Sequence, residues 1–105
     1  MSAVLSAFVL ITAEPQRIQD LAAELAETDG VAEVYSVSGD HDLVAIVRVR
    51  HHDDLAEVVT GHISRLPGIL STRTMVAFKA FSRHDLEAMW SLGTETTEQP
   101  PNLSQ

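Results

Sequence analysis

The sequence predicts an α+β fold made of two β-α-β units in tandem, and three observations predict it. Short runs rich in Val, Leu and Ile alternate with stretches whose apolar residues recur at helical spacing. Both helical stretches open and close at one common offset: Pro15 and Asp53 stand 38 positions apart, and so do Gly30 and Gly68. Between the units, Gly39-Asp40-His41-Asp42 is a turn of the kind that joins antiparallel strands.

The first run, Ala3 to Thr12, is too short and too β-branched for a helix and reads as a buried strand. Pro15 is a helix-start residue, with Glu14 beside it near the positive end of the dipole. Ile18, Leu21, Ala22 and Leu25 form the apolar stripe, and Asp29-Gly30 ends the helix. A second strand is expected from Val31 to about Ser38 and a third from Leu43 to Arg50, with Leu43, Ala45, Val47 and Val49 on one face. Asp53 or Asp54 is the expected cap of a second helix, whose stripe is Leu55, Val58, Val59, Ile63 and Leu66. Pro67-Gly68 stops it. A fourth strand is expected from Ile69 to about Phe81. At the common offset Leu21 corresponds to Val59, and Leu25 to Ile63. The order β-α-β-β-α-β is that of the ferredoxin-like plait, an antiparallel sheet with both helices on one face.

The fourth strand presents Leu70, Thr72, Thr74, Val76 and Phe78 on one side and Ile69, Met75, Ala77 and Phe81 on the other. Two apolar rows imply that both faces are covered, and a second subunit is the simplest cover for the face without helices. The expected organisation is a domain over 1–82, a short helix over 83–92 carrying Leu86, Met89 and Trp90, and a polar, disordered tail over 93–105.

Composition narrows the function. Seven basic against fifteen acidic side chains give a formal charge of −8, which disfavours direct contact with nucleic acid or anionic membranes. There is no cysteine, so disulfides and thiolate metal sites are excluded. No apolar run is long enough to span a bilayer, and the apolar start lacks the basic segment of a signal peptide, so a cytoplasmic location is expected. The five histidines show no zinc-ligand spacing, and no metal or cofactor is expected. No Gly-X-Ser-X-Gly elbow or phosphate-cradling loop is present.

Two stretches, Val37-Ser38-Gly39-Asp40-His41-Asp42-Leu43 and Arg65-Leu66-Pro67-Gly68-Ile69 with Ser71-Thr72-Arg73-Thr74 after it, resemble the amino-acid-binding domain of the Lrp/AsnC transcription regulators. The resemblance covers roughly residues 4 to 82. It implies the dimeric α/β-barrel variety of the plait, an amino-acid effector bound at subunit contacts, and a homodimer or a larger ring up to an octamer. Full regulators of that family carry an N-terminal helix-turn-helix domain. Here the sensing domain starts almost at Met1, so a stand-alone form is expected, acting through its own assembly or a full-length partner regulator.

The resemblance places the ligand site at Gly39, Asp40, Asp42, Thr72 and Thr74, with Met75 and Val76 as apolar lining. The chemistry fits: an ammonium needs carboxylates, and a carboxylate needs N–H groups, hydroxyls or a cation. Asp42 has the strongest claim among the side chains, and Asp42→Ala is expected to abolish the ligand response while leaving the fold intact. His41, between two carboxylates, is a candidate pH modulator. Arg73 is a candidate for an ion pair between subunits. Gly-Asp-X-Asp is equally good turn chemistry, and alternating Thr is good strand chemistry. Two other functions stay open: a small monooxygenase-like enzyme on the same plait, for which five aromatic residues are a thin lining, and an assembly module that binds no small molecule.

Overall fold

The computed structural model describes residues 4–83; the expected C-terminal helix and tail lie outside them. Strand β1 (Leu5–Ala13) leads through a 3-10 turn at Pro15–Arg17 into helix α1 (Ile18–Ala26). Strands β2 (Val31–Ser36) and β3 (Leu43–Val49) follow, then helix α2 (His52–Ala56) and strand β4 (Ile69–Val76). The sheet order is β2-β3-β1-β4, with every neighbouring pair antiparallel. This is the predicted ferredoxin-like plait.

Alternation decides which face each strand buries. Ala7, Val9, Ile11 and Ala13 of β1 and Leu43, Ala45 and Val47 of β3 point at the helices. Leu21 and Leu25 from α1, with Leu55, Val58 and Ile63 from the second helical segment, close the core over them. Burying each large aliphatic side chain there contributes about 1.5–3 kcal/mol.

The internal repeat is visible in the backbone. Gly30 and Gly68 both take positive φ, 93° and 99°. Each is followed by the same turn: the Val31 N–H donates to the Thr28 carbonyl at 3.0 Å, and the Ile69 N–H to the Leu66 carbonyl at 3.2 Å. Arg17 ties the two units together, its Nε donating to the Pro67 carbonyl at 3.0 Å while its other nitrogens reach Asp20 and Glu24.

Four local expectations change. Neither Asp53 nor Asp54 caps the second helix: His51 occupies that position, at φ −132° and without a side-chain cap bond. The chain leaves β3 extended only as far as His51, so both aspartates fall in the first turn, where they still meet the positive end of the dipole. The second helix is not uniform. After Ala56 it widens into a π-helical stretch, Glu57–His62, and tightens to a 3-10 turn at Ile63–Arg65. A β-branched run, Val58-Val59-Thr60, followed by Gly61 weakens the α geometry there, and the Thr60 hydroxyl donates back to the Ala56 carbonyl at 2.6 Å.

Strand β4 ends at Val76 and does not reach Phe81. Its partner β1 begins at Leu5, and the Ala77 N–H to Ser6 carbonyl bond at 2.8 Å is close to the end of what β1 can pair. Finally, a bulge between Thr12 and Ala13 leaves Leu70 without a cross-strand partner. Ile69 therefore turns into the core while Leu70 stays exposed, so neither expected apolar row of β4 is continuous.

Candidate functional site

The predicted turn sits where β1 ends and β4 begins. It is a six-residue loop, 37–42, because β2 stops at Ser36. Asp42 anchors it three ways. Its carbonyl accepts the Val37 N–H at 3.0 Å, its N–H donates to the Ile11 carbonyl at 2.8 Å, and its Oδ2 accepts the Ala13 N–H at 2.8 Å. The loop is thus fastened to the last three residues of β1, and Thr12 Oγ1 lies 3.4 Å from His41 Nδ1.

This alters the expectation for Asp42. Its carboxylate accepts a backbone donor at the end of β1, so Asp42→Ala is expected to cost about 1.5–3 kcal/mol, the scale for a hydrogen bond to a charged group. Asp42→Asn keeps an acceptor oxygen and is expected to cost less. Urea unfolding of the two variants checks this; equal stability of wild type and Asp42→Ala would mean the Ala13 bond contributes nothing.

The loop tip is different. Gly39 has φ 116°, and beyond its two chain neighbours no heavy atom lies within 4 Å of where a Cβ would stand, so the space beside it is open to an incoming group. Asp40 is exposed and makes no hydrogen bond among the described residues.

Thr72 pairs with Ile11, the residue whose carbonyl holds Asp42. Asp42 and Thr72 therefore flank the end of β1 at one level, about 10 Å apart across two strand spacings. Thr74 and Val76 face Val9 and Ala7, successive steps of about 7 Å down the sheet. Met75 pairs with Phe8 and points to the opposite face. Gly39, Asp40, Asp42 and Thr72 are gathered at one end of the sheet; Thr74, Met75 and Val76 are not.

The sequence reading missed the composition of the face without helices. Pairing lays it out in rows across the sheet. Tyr35, Val44, Leu10 and Arg73 form one row, and Glu33, Ile46, Phe8 and Met75 the next. Phe8 is 38% exposed, Met75 48% and Tyr35 51%, although all are large and apolar. The signal was present in Val44 and Ile46, the other half of an alternation whose inward half alone was used. At the β2 edge, the Glu33 carboxylate raises the Tyr35 hydroxyl above its ordinary pKa, by hydrogen bonding first and by charge second.

A cleft of about 280 Å³ lies at the far end of the sheet, between Gly30, Val49 and the second helix. Among the described residues no cluster of three His, Cys, Asp or Glu is placed to hold a metal ion. No helix among them is long and apolar enough to cross a membrane.

Comparison with known proteins places this geometry in context. The Lrp/AsnC ligand binding domain family matches residues 6–86. The HTH-type transcriptional regulator FL11 of Pyrococcus horikoshii is 29% identical over 94 residues, covering 90% of this chain and 54% of its own. The chain thus spans about half the length of the curated relatives of this kind. Among solved structures, TTHA0845 from Thermus thermophilus superimposes with a TM-score of 0.71 at 47% identity, covering 75% of this chain and 99% of that one. The feast or famine regulatory protein of M. tuberculosis, complexed with L-methionine, gives a TM-score of 0.64 at 32% identity, covering 74% of this chain and 52% of that one.

Proposed function

Because the chain belongs to the Lrp/AsnC ligand binding domain family, we propose that it senses a free amino acid at the Gly39–Asp42 end of the sheet and acts through association with other chains. The observation that carries this reading is the extent of the family match, which runs from β1 through β4 and includes both the turn and Thr72. The L-methionine bound by the M. tuberculosis relative supports an amino acid as the ligand class.

Roles follow from what each group has free. The Asp40 carboxylate takes the ammonium. The uncovered backbone at Gly39 and the Thr72 hydroxyl take the carboxylate, with a hydrogen-bonding pattern suited to an anion. Asp42 positions the loop and offers only its second oxygen. Thr74, Met75 and Val76 reach a ligand only if a neighbouring subunit brings another part of the site to them. One chain supplies half a site here, which fits binding at subunit contacts.

A second copy is the proposed cover of the face bearing Phe8, Leu10, Val44, Ile46 and Met75. An apolar sheet face of this kind calls for a partner in water. The relatives' naming as transcription regulators speaks for a regulator and against the enzyme alternative. One observation favours the ligand-free assembly module instead: the side chain with the strongest claim, Asp42, already serves the fold.

Thermal melting against each of the twenty amino acids at millimolar concentration tests the proposal. A ligand at about 100 times its dissociation constant adds roughly 2.7 kcal/mol to the folded state, a readily measured rise in melting temperature. The expected result is a shift with one or a few amino acids, lost in Asp40→Asn, whose melting without ligand is unchanged. No shift with any of the twenty would overturn the sensor reading in favour of the assembly module.

A further inference from the structure

From the charge pattern of the open sheet face, we infer that Glu33 and Arg73 pair across the two-fold axis of a face-to-face homodimer and so select how the two copies are oriented. The inference rests on the proposal that a second copy covers this face, and goes beyond it by naming the groups that choose the geometry.

The argument starts from placement. The centre of the face is apolar: Val44, Ile46, Phe8 and Leu10 lie on the two inner strands. Charge sits at its edges. Glu33 stands on β2, one edge strand, beside Tyr35. Arg73 stands on β4, the other edge strand, and makes no ion pair among the described residues. The β2 edge therefore carries a carboxylate and the β4 edge a guanidinium, with three strand spacings between them, about 14 Å. That is too far for the pair to form within one chain.

A two-fold interface is self-complementary, so each copy presents the same face to the other. Two aligned arrangements are possible. With the axis parallel to the strands, β4 of one copy lies over β2 of the other, and Arg73 comes down on the partner's Tyr35 and Glu33. With the axis across the strands, β4 lies over β4 and β2 over β2, so Arg73 meets Arg73 and Glu33 meets Glu33. Sheets pack about 10 Å apart, and Arg73 and Glu33 are one row, about 7 Å, out of level, a span two long side chains bridge. Electrostatics thus favours the first arrangement and penalises the second, which is how rim charges fix register. Arg48 lies on the same face, one strand in from Glu33 and one level beyond Ile46, and its charge reaches Tyr35, so Glu33 also has a cation near it within its own chain, and Arg73 is the one that only a partner brings to it.

The test is charge exchange, read by sedimentation equilibrium at low salt. Each dimer holds two copies of the pair, so Glu33→Arg or Arg73→Glu alone is expected to weaken self-association at least about tenfold, the equivalent of 1.4 kcal/mol. The double exchange Glu33→Arg with Arg73→Glu is expected to restore it. Mixing the two single variants is expected to give a heterodimer tighter than either homodimer, because each carries the charges the other lacks. The differences are expected to shrink in 1 M salt. Phe8→Glu separates the two levels of inference. If Phe8→Glu abolishes association while the exchanges leave it unaltered, the face is right and the pairing is overturned. If Phe8→Glu also leaves association intact, the face itself is wrong and the pairing falls with it.

Discussion

Ile11→Ala is expected to lower stability by about 3 kcal/mol, within the range for truncating a buried isoleucine. In a domain of this size that is a fall in melting temperature of roughly 12–24 °C. Ile11 is fully buried, faces the helices and belongs to an inner strand, with Leu43 opposite on β3 and Thr72 on β4. Its side chain fills the core at the level where its own carbonyl holds Asp42, so neighbours have little freedom to collapse into the gap. Leu10 is the informative control. It is one residue away, on the open face, and only partly buried in a single chain. Leu10→Ala is expected to cost less in the isolated chain and to weaken self-association instead. Urea unfolding at two protein concentrations distinguishes them: the Ile11→Ala loss persists at both, whereas the Leu10→Ala loss appears mainly where the wild type is assembled. A loss below about 1 kcal/mol for Ile11→Ala would mean that β1 is not packed as described.

The order of elements was legible because period and punctuation agreed. Helical spacing at Leu21 and Leu25, alternation at Leu43, Ala45 and Val47, and glycine at 30 and 68 all pointed to one topology, and the buried core uses those residues. What could not be read was set by partners elsewhere in the chain. The end of β4 depends on where β1 begins, so Ala77 to Phe81 look like strand in isolation and are not. The outward turn of Leu70 depends on a bulge opposite Thr12 and Ala13. The start of the second helix depends on how far β3 stays extended, which local capping chemistry at Asp53 and Asp54 does not report. For the candidate site, the turn chemistry was legible but its use was not. Two aspartates two residues apart look equivalent in sequence, yet Asp42 closes a bond to the Ala13 N–H while Asp40 points to water.

Gly30→Ala is expected to destabilise the fold by about 2–5 kcal/mol, and it tests the closest approach at any described glycine. Two costs add. At φ 93° a side chain sits in the left-handed region, which costs roughly 1–2 kcal/mol for a non-glycine residue. The new Cβ would also stand 2.6 Å from Val58 Cγ2, and Val58 is buried in the core and cannot swing clear. Overpacking of that kind adds roughly 1–3 kcal/mol. Gly39→Ala isolates the first cost, since its φ is also positive but nothing lies within 4 Å. It is expected to lose only the backbone part. Val58→Ala removes the obstructing methyls, so the double variant Gly30→Ala, Val58→Ala is expected to lose less than the sum of its single changes. Denaturant melts of the four proteins give the comparison; strict additivity would mean no contact between loop and helix. The contact matters beyond stability. Gly30 is the corner at which α1 becomes β2, and its carbonyl accepts the Arg48 N–H at 2.9 Å, next to the bulge that brings Glu33 and Tyr35 onto the open face. A corner forced outward there shifts the residues through which two copies are proposed to meet, so Gly30→Ala is also expected to weaken assembly.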